Sequence, residues 1–128
     1  MGKRAFVVDD EKCISDSLTA ILNNRGFTAS AFYSAESALA ECEIVIPDLV
    51  ISDVMMPVMN GVEMAIVIKE RYPACKILLF SGKAGTAHML EQARERGYDF
   101  ALLTKPVHPT ELLAMLANPK EERNSAVK

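Results

Sequence analysis

The chain is 128 residues long, which is enough for one ordinary domain and too short for two separate hydrophobic cores. Half of its residues are hydrophobic and 24% are charged, which is the balance of a folded globular protein. Its formal net charge of −3 and its scattered lysines and arginines exclude a basic surface that would gather nucleic acid or anionic lipid. We therefore predict that this domain binds neither nucleic acid directly nor a membrane.

The sequence also carries information about its compartment. No stretch has the roughly 18 consecutive apolar residues that a membrane-spanning helix needs. The apolar run before Asp9 is too short for a signal peptide, so we predict a cytoplasmic location. Cys13, Cys42 and Cys75 are widely spaced and form no C-x-x-C motif, so we expect reduced thiols rather than a disulfide or a zinc site.

Short apolar segments of strand length alternate along the chain with longer segments of helical spacing. The five predicted strands are Arg4 to Val8, Phe27 to Phe32, Asp48 to Ser52, Lys76 to Phe80 and Phe100 to Leu103. Three of them contain the continuous apolar runs AFVV, LVI and ILLF, which indicates strands that are covered on both faces. Five strand–helix repeats predict right-handed crossovers and a parallel α/β sheet with helices on both sides.

Apolar residues at three- and four-residue spacing indicate five helices between and after these strands. They are predicted around residues 14–22, around 35–42, from about Val62 to Tyr72, around 89–97 and from Thr110 to Ala117. Ser34 is predicted to cap the second helix, and Gly26 and Gly97 to end the first and the fourth. The polar end of the chain has no periodicity, so we predict a folded domain over 1–118 and a flexible tail or linker over 119–128.

Polar residues lie at the predicted carboxyl ends of the strands. Asp9 and Asp10 follow the first strand, and Asp53 follows the third. Ser81 follows the fourth strand, and Lys105 comes just after the fifth. The ligand site of an open parallel sheet lies beyond these ends, where the strand order reverses. If the first and third strands are neighbours, three carboxylates converge in one pocket with a hydroxyl and an ammonium at its margin.

Three carboxylates in one small pocket repel one another, which predicts a bound cation. Oxygen ligands favour a hard ion, and Mg²⁺ fits best because it binds through one or two carboxylates and leaves positions for phosphate oxygens. Mn²⁺ could substitute, whereas Ca²⁺ would need more ligands. A carboxylate beside such an ion can attack phosphorus while Lys105 offsets the remaining charge, so Asp53 is the predicted nucleophile. Ser81 can then donate a hydrogen bond to a phosphoryl oxygen.

Four short motifs in this order and spacing resemble the receiver domain of bacterial response regulators, of the chemotaxis-regulator type. They are VVDDE at 7–11, DVMMPVMNG at 53–61, SG at 81–82 and KP at 105–106. The resemblance covers the chain from about Lys3 to Ala117. It implies a flavodoxin-like fold, a doubly wound five-stranded parallel sheet with strand order 2-1-3-4-5 and five helices. It also implies that residues 1–118 are a receiver domain.

The resemblance implies roles for the acidic residues of the site. Asp53 corresponds to the phosphoacceptor. Asp10 corresponds to a direct magnesium ligand and Asp9 to its water-mediated partner. Met55 would contribute its backbone carbonyl to the metal, so that the implied metal-ligating residues all lie in the first and the second of the four motifs.

The resemblance also implies roles on the phosphate side of the site, where the chain departs from the family pattern in two ways. Ser81 corresponds to the switch hydroxyl, and Lys105 to the phosphate-pairing lysine, whose bond to Pro106 is usually cis in this family. Receivers usually carry an aromatic residue three positions before the lysine, whereas this chain has Leu102 there. The stretch from Gly97 to Lys105 is also one residue longer than the common pattern, so a local bulge would bring Phe100 near that position.

These roles imply a phosphorylation-dependent switch of a two-component phosphorelay. The phosphoryl group would come from a histidine kinase or a phosphotransfer protein, and its arrival would alter the surface around strand five and the fourth and fifth helices. Such a protein assists its own phosphorylation and dephosphorylation but is not an enzyme with a substrate of its own. It would be a monomer or a phosphorylation-dependent dimer, and its downstream protein partner or output domain is not named by the sequence.

Two other functions stay open on the sequence alone. A magnesium phosphohydrolase of the haloacid-dehalogenase type also uses an aspartyl nucleophile, but it needs a D-x-D pair after the first strand and usually a cap. Here Asp9 and Asp10 are adjacent and the chain is short. A degenerate receiver would serve as an interaction module without being phosphorylated, and failure to bind magnesium would favour it.

Overall fold

The computed structural model describes residues 2–82, 86–105 and 108–117, and over these ranges five strands alternate with five helices. In chain order they are β1 (Arg4–Val8), α1 (Lys12–Asn23), β2 (Thr28–Phe32), α2 (Ala35–Cys42), β3 (Leu49–Asp53), α3 (Gly61–Arg71), β4 (Lys76–Ser81), α4 (Thr86–Glu95), β5 (Ala101–Thr104) and α5 (Pro109–Ala117). Neighbouring strands all pair in parallel, in the order β2-β1-β3-β4-β5. The predicted doubly wound fold is confirmed.

The sheet has a hydrophobic core on each of its two faces. On one face α1 and α5 contribute buried leucines, including Leu22 and Leu112. On the other face α2, α3 and α4 pack against the sheet, with Met64, Ile68 and Ala93 among the buried residues. Every residue of the central strand β3 is buried. Because helices cover both faces of the sheet, the sequences of the central strands are nearly continuous apolar runs, not alternating apolar and polar residues.

The strands differ from the sequence prediction by single residues, and two of the differences lie at the carboxyl edge. β3 and β4 each reach one residue further than predicted, because Asp53 pairs with Phe80 and Ser81 pairs with Thr104. Asp53 and Ser81 are therefore the last residues of their strands, not the first residues after them. β2 and β5 begin one residue later than predicted, and β5 continues to Thr104.

Most predicted helix ends agree with the structure to within two residues, but α4 begins at Thr86, three residues earlier than predicted. The Ser34 side chain accepts a hydrogen bond from the backbone N–H of Ser37 and caps α2 as predicted. Gly26 and Gly97 follow α1 and α4 with φ of 93° and 94°, a region of backbone conformation that favours glycine. Both α3 and α5 begin one residue earlier than predicted.

The register of β5 shows whether Leu102 or Phe100 occupies the place of the family's usual aromatic residue, three positions before the lysine. Pairing with β4 is continuous over residues 101–104, so Leu102 holds this position and is 39% exposed. The bulge that would bring Phe100 there is absent from this strand. Phe100 instead precedes β5, and its ring stacks on that of Tyr98 at 6.1 Å.

The cysteines are free thiols in different environments. Cys42 and Cys75 are buried in the core that α2 and α3 form with the sheet, whereas Cys13 is exposed. Burial raises the pKa of both buried thiols, that of Cys75 to about 11. These two thiols are therefore protonated and inert at neutral pH.

Two predictions fall on parts of the chain that are not described. The Lys105–Pro106 bond and the tail at 119–128 lie outside the described residues. None of the helices within the described ranges is long and apolar enough to cross a membrane.

Candidate functional site

Three carboxylates from two neighbouring strands converge at the carboxyl edge of the sheet. Asp9 and Asp10 directly follow β1, Asp53 ends β3, and these two strands pair in parallel. One carboxylate oxygen from each of the three residues lies within 4.8 Å of the other two. The structure thus brings the three predicted acidic residues together, with Asp9 and Asp53 buried and Asp10 exposed.

Asp9 is the most deeply buried of the three. Its Oδ1 accepts a hydrogen bond from the backbone N–H of Glu11 at 2.9 Å. Its Oδ2 is buried without a hydrogen-bond partner in the part of the chain that the structure describes, and the Lys105 ammonium is 3.5 Å away. Burial raises the pKa of Asp9 to about 6, with a smaller contribution from the charge of Asp53.

Asp53 occupies a similar environment at the end of β3, where it is 5% exposed. Burial raises its pKa, while the nearby Lys105 ammonium and the backbone N–H of Met55 act in the opposite direction. The chain therefore presents a partly desolvated carboxylate, which is easier to bring against a phosphorus atom than a fully hydrated one.

Lys105 supplies the positive charge of the site. Its Nζ lies 3.3 Å from Asp53 Oδ2, 3.5 Å from Asp9 Oδ2 and 3.5 Å from Glu11 Oε1. Burial alone would lower the pKa of Lys105, but the charges of Asp53 and Asp9 outweigh it and raise the pKa. The backbone N–H of Lys105 donates to the carbonyl of Ser81 at 3.0 Å, which fixes the lysine to the end of β4.

These side chains border an open pocket of about 360 Å³, lined by Asp10, Glu11, Asp53, Met55, Gly82 and Lys105. The pocket has room for a phosphoryl group and several waters beside the carboxylates. Met55 is 37% exposed at its rim. Ser81 is 5% exposed at the end of β4, directly before the lining residue Gly82.

Sequence reasoning assigned no role to three residues that contact the site. Glu11 pairs with Lys105, and its position in the acidic VVDDE motif is a signal that was available. Gly61 ends the second motif, and a Cβ there would collide with the backbone of Asp53. Ser52 donates a hydrogen bond to the Asp53 carbonyl oxygen, and a single serine in an apolar strand gave no signal of this.

The donor set fits a magnesium ion. It consists of carboxylate oxygens, which hard cations prefer, and the pocket is open to the waters that magnesium retains. The Asp9 Oδ2, buried with its hydrogen-bonding capacity unused within the described residues, is an acceptor that a cation or a cation-bound water would satisfy.

A doubly wound sheet with three carboxylates, a lysine and a hydroxyl at its carboxyl edge defines the receiver class of α/β proteins. A sequence model of the response regulator receiver domain matches residues 5–117, and the chain belongs to that family. Members of the family are phosphorylation-dependent switches of two-component systems. They act with histidine kinases, generally bind Mg²⁺ in an acidic pocket, and are phosphoacceptor modules rather than ordinary enzymes.

Curated relatives match over most of this chain. The regulatory protein VanRc of Enterococcus gallinarum is 32% identical over 114 residues, which are 89% of this chain and 48% of the relative. The DNA-binding response regulator MtrA of Mycolicibacterium smegmatis is 30% identical over 114 residues, 89% of this chain and 49% of the relative. The chain thus spans about half the length of these two relatives.

Solved structures match over nearly the whole chain. A CheY-like response regulator receiver domain protein from Methanospirillum hungatei has a TM-score of 0.84 at 26% identity, over 98% of this chain and 99% of that one. The BeF3-activated receiver domain of DrrB has a TM-score of 0.78 at 29% identity, over 92% of this chain and 97% of that one. The fold is therefore that of CheY-like receivers.

Proposed function

We propose that Asp53 accepts a phosphoryl group from a histidine kinase or a phosphotransfer protein, with Mg²⁺ bound beside it. The observation that carries this proposal is the position of the Lys105 ammonium, 3.3 Å from the buried Asp53 carboxylate and at the edge of the Asp9–Asp10–Asp53 cluster. A carboxylate held between a fixed cation and further acidic oxygens suits phosphoryl transfer. The lysine offsets negative charge on the transferring phosphoryl group, and the acidic oxygens can hold a metal ion that offsets the rest.

In the proposed reaction an Asp53 oxygen forms a bond to phosphorus while the bond from phosphorus to the donor's histidine nitrogen breaks. The phosphohistidine carries a proton on its other ring nitrogen, so the products are an acyl phosphate on Asp53 and a neutral histidine on the donor. Lys105 stays protonated and pairs with a phosphoryl oxygen. Asp10 as a direct ligand, Asp9 through a water, Asp53 and the Met55 carbonyl would hold the Mg²⁺, or Mn²⁺ in its place, which neutralises charge on the phosphoryl oxygens.

The phosphorylated site would then alter a distant surface. Ser81 ends β4 beside the pocket, and its hydroxyl would donate a hydrogen bond to a phosphoryl oxygen and draw the following loop inward. We expect the surface of β5, α4 and α5 to change as a result, with Leu102 in the place of the usual aromatic residue. Loss of the phosphoryl group would be assisted by the same site.

We propose a receiver domain over 1–118 and a tail or linker over 119–128 in a cytoplasmic protein, monomeric or dimerising on phosphorylation. The kinase or phosphotransfer protein is the upstream partner. A protein partner or an output domain, rather than direct binding of nucleic acid or membrane by this domain, receives the signal.

The test is phosphorylation by a small donor. The wild type and Asp53→Ala are incubated with acetyl phosphate and Mg²⁺, and their intact masses are compared. We expect one phosphoryl adduct on the wild type, none on Asp53→Ala and none when EDTA removes the metal. An unmodified wild type that also fails to bind a beryllium fluoride complex would indicate an interaction module that works without phosphorylation. Steady hydrolysis of p-nitrophenyl phosphate would indicate a phosphohydrolase instead.

A further inference from the structure

The peptide unit that follows Asp53 is fixed at both of its polar groups. Ser52 is fully buried in β3, and its Oγ donates a hydrogen bond to the Asp53 carbonyl oxygen at 2.9 Å. The N–H of the same unit, on Val54, donates to the carbonyl oxygen of Phe80 at 3.0 Å. This unit therefore cannot rotate without breaking a buried hydrogen bond.

The next peptide unit is fixed by the start of α3. The Val54 carbonyl accepts a hydrogen bond from the N–H of Gly61 at 2.8 Å. The N–H of this unit, on Met55, is close enough to the Asp53 carboxylate to lower its pKa. A Cβ at Gly61 would collide with the Asp53 carbonyl oxygen and would lie 3.1 Å from the Ser52 hydroxyl. Only glycine lets the first turn of α3 approach the acceptor this closely.

We propose that Ser52 and Gly61 are positioning residues for the phosphoacceptor, a role that rests on the proposed function of Asp53. Together they fix the two peptide units that join the Asp53 backbone to the Met55 N–H. The Asp53 side chain is carried by this backbone, so the direction in which the nucleophile points depends on two residues outside the set that would bind metal or phosphate. In-line attack on phosphorus is sensitive to small errors in such an angle.

The test compares Ser52→Ala with Ser52→Thr, which keeps the hydroxyl. The rate of acyl phosphate formation is measured at saturating acetyl phosphate and Mg²⁺, together with the donor concentration at half-maximal rate. We expect Ser52→Ala to be slower by about tenfold with an unchanged half-saturating concentration, and Ser52→Thr to regain most of the rate. Hydrogen exchange at the amides of Val54 and Met55, measured without metal or donor, should be faster in Ser52→Ala than in the wild type and in Ser52→Thr.

Ser15→Ala is the matched control. Ser15 is also fully buried, and its Oγ also donates to backbone carbonyls, that of Val7 in β1 at 2.9 Å and that of Phe32 in β2 at 3.2 Å. This variant should lose a similar amount of stability and keep the wild-type rate. Gly61→Ala should slow phosphorylation at least as much as Ser52→Ala if it folds, and Ser52→Ala carries the test if it does not.

Two results would overturn the positioning role. One is a Ser52→Ala variant that is phosphorylated at the wild-type rate with unchanged exchange at Met55. The other is a Ser15→Ala variant that is slowed as much as Ser52→Ala, because the loss of rate would then follow from lower stability in general. A wild type that is not phosphorylated at all would refute the proposed function instead, and the exchange measurement would still decide whether Ser52 fixes the backbone.

Discussion

The ammonium of Lys105 lies 3.3 Å from Oδ2 of Asp53, which joins the residue after β5 to the last residue of β3. The same ammonium is 3.5 Å from the buried carboxylate of Asp9 after β1. One cation therefore balances two buried anions that come from different strands. The electrostatic balance of the metal-free site depends on this lysine.

Replacing Lys105 by methionine should destabilise the metal-free protein. The Lys105→Met variant leaves Asp9 and Asp53 without their nearest cation, and we expect the free energy of unfolding at pH 7 to fall by about 2 kcal/mol. Urea denaturation in EDTA measures this. Lys12→Met removes an exposed lysine that lies over the Tyr33 ring and should change the value much less. Equal unfolding free energies for the two variants would show that the ion pairs are not stabilising.

The stability of the folded protein should depend on pH through the ionisation of Asp9. Its pKa is raised from 3.8 in an ordinary carboxyl to about 6 in the folded protein, mainly by burial. The folded state therefore holds this proton more tightly than the unfolded state. The resulting stability is fully present below about pH 4 and is lost as the pH rises through about 6. The raised pKa of Asp53 acts in the same direction.

Urea midpoints in EDTA between about pH 4 and 7 test this dependence on the Asp9 carboxyl. Asp9→Asn has no proton to lose there, so its midpoint should fall less across this range than that of the wild type. A variant whose midpoint falls as steeply as the wild type's would show that Asp9 ionises normally in the folded protein.

Magnesium should stabilise the folded protein through the acidic cluster. A ligand that binds only the folded state adds about 2.7 kcal/mol at a concentration one hundred times its dissociation constant. We expect the melting temperature of the wild type to rise with MgCl₂ and that of Asp10→Ala to stay constant. Asp10 is exposed, so its removal should cost the fold little. Asp99→Ala, which removes an exposed carboxylate before β5, should respond like the wild type, and a rise in Asp10→Ala would place the metal elsewhere.

Val58 stores strain in the loop between β3 and α3. It has φ of 70° at the centre of a tight turn in which the N–H of Met59 donates to the carbonyl of Pro57 at 2.9 Å. A β-branched residue is unfavourable in this conformation. Because Val58 is 94% exposed, little packing offsets the strain.

Val58→Asn should therefore stabilise the protein by about 1 kcal/mol, since asparagine tolerates a positive φ. Thermal and urea denaturation of the variant provide the measurement. Val58→Thr keeps the branched Cβ and should leave stability close to that of the wild type. Stabilisation by threonine as large as that by asparagine would mean that the gain comes from removing an exposed apolar side chain, not from releasing backbone strain.

The general position of the site was predictable because two regularities act together. Alternating strands and helices gave a parallel sheet, and acidic residues after the first and third strands then had to meet at its carboxyl edge. Asp9, Asp10 and Asp53 do meet there. Strand ends were less predictable, since Asp53 belongs to β3 only through its pairing with Phe80, and the sequence does not show pairing partners.

Other features depended on geometry that residue type does not reveal. Leu102 and Phe100 are both apolar and lie two positions apart. The sequence alone therefore could not decide whether β5 is regular, with Leu102 in the place of the usual aromatic residue, or bulged, with Phe100 there. In the sequence Ser52 is only a polar residue within an apolar strand. The role of its hydroxyl is visible only from its hydrogen bond to the Asp53 carbonyl oxygen. The positive φ of Val58 contradicts the preference of valine itself.

The most direct test of the central claim is to locate the phosphoryl group on Asp53. After treatment with acetyl phosphate and Mg²⁺, borohydride reduces an aspartyl phosphate to homoserine, and peptide mass spectrometry identifies the reduced residue. We predict homoserine at position 53 and unreduced aspartate at positions 9 and 10. Homoserine at either of those positions, or at none in a protein that carries a phosphoryl adduct, would contradict Asp53 as the phosphoacceptor.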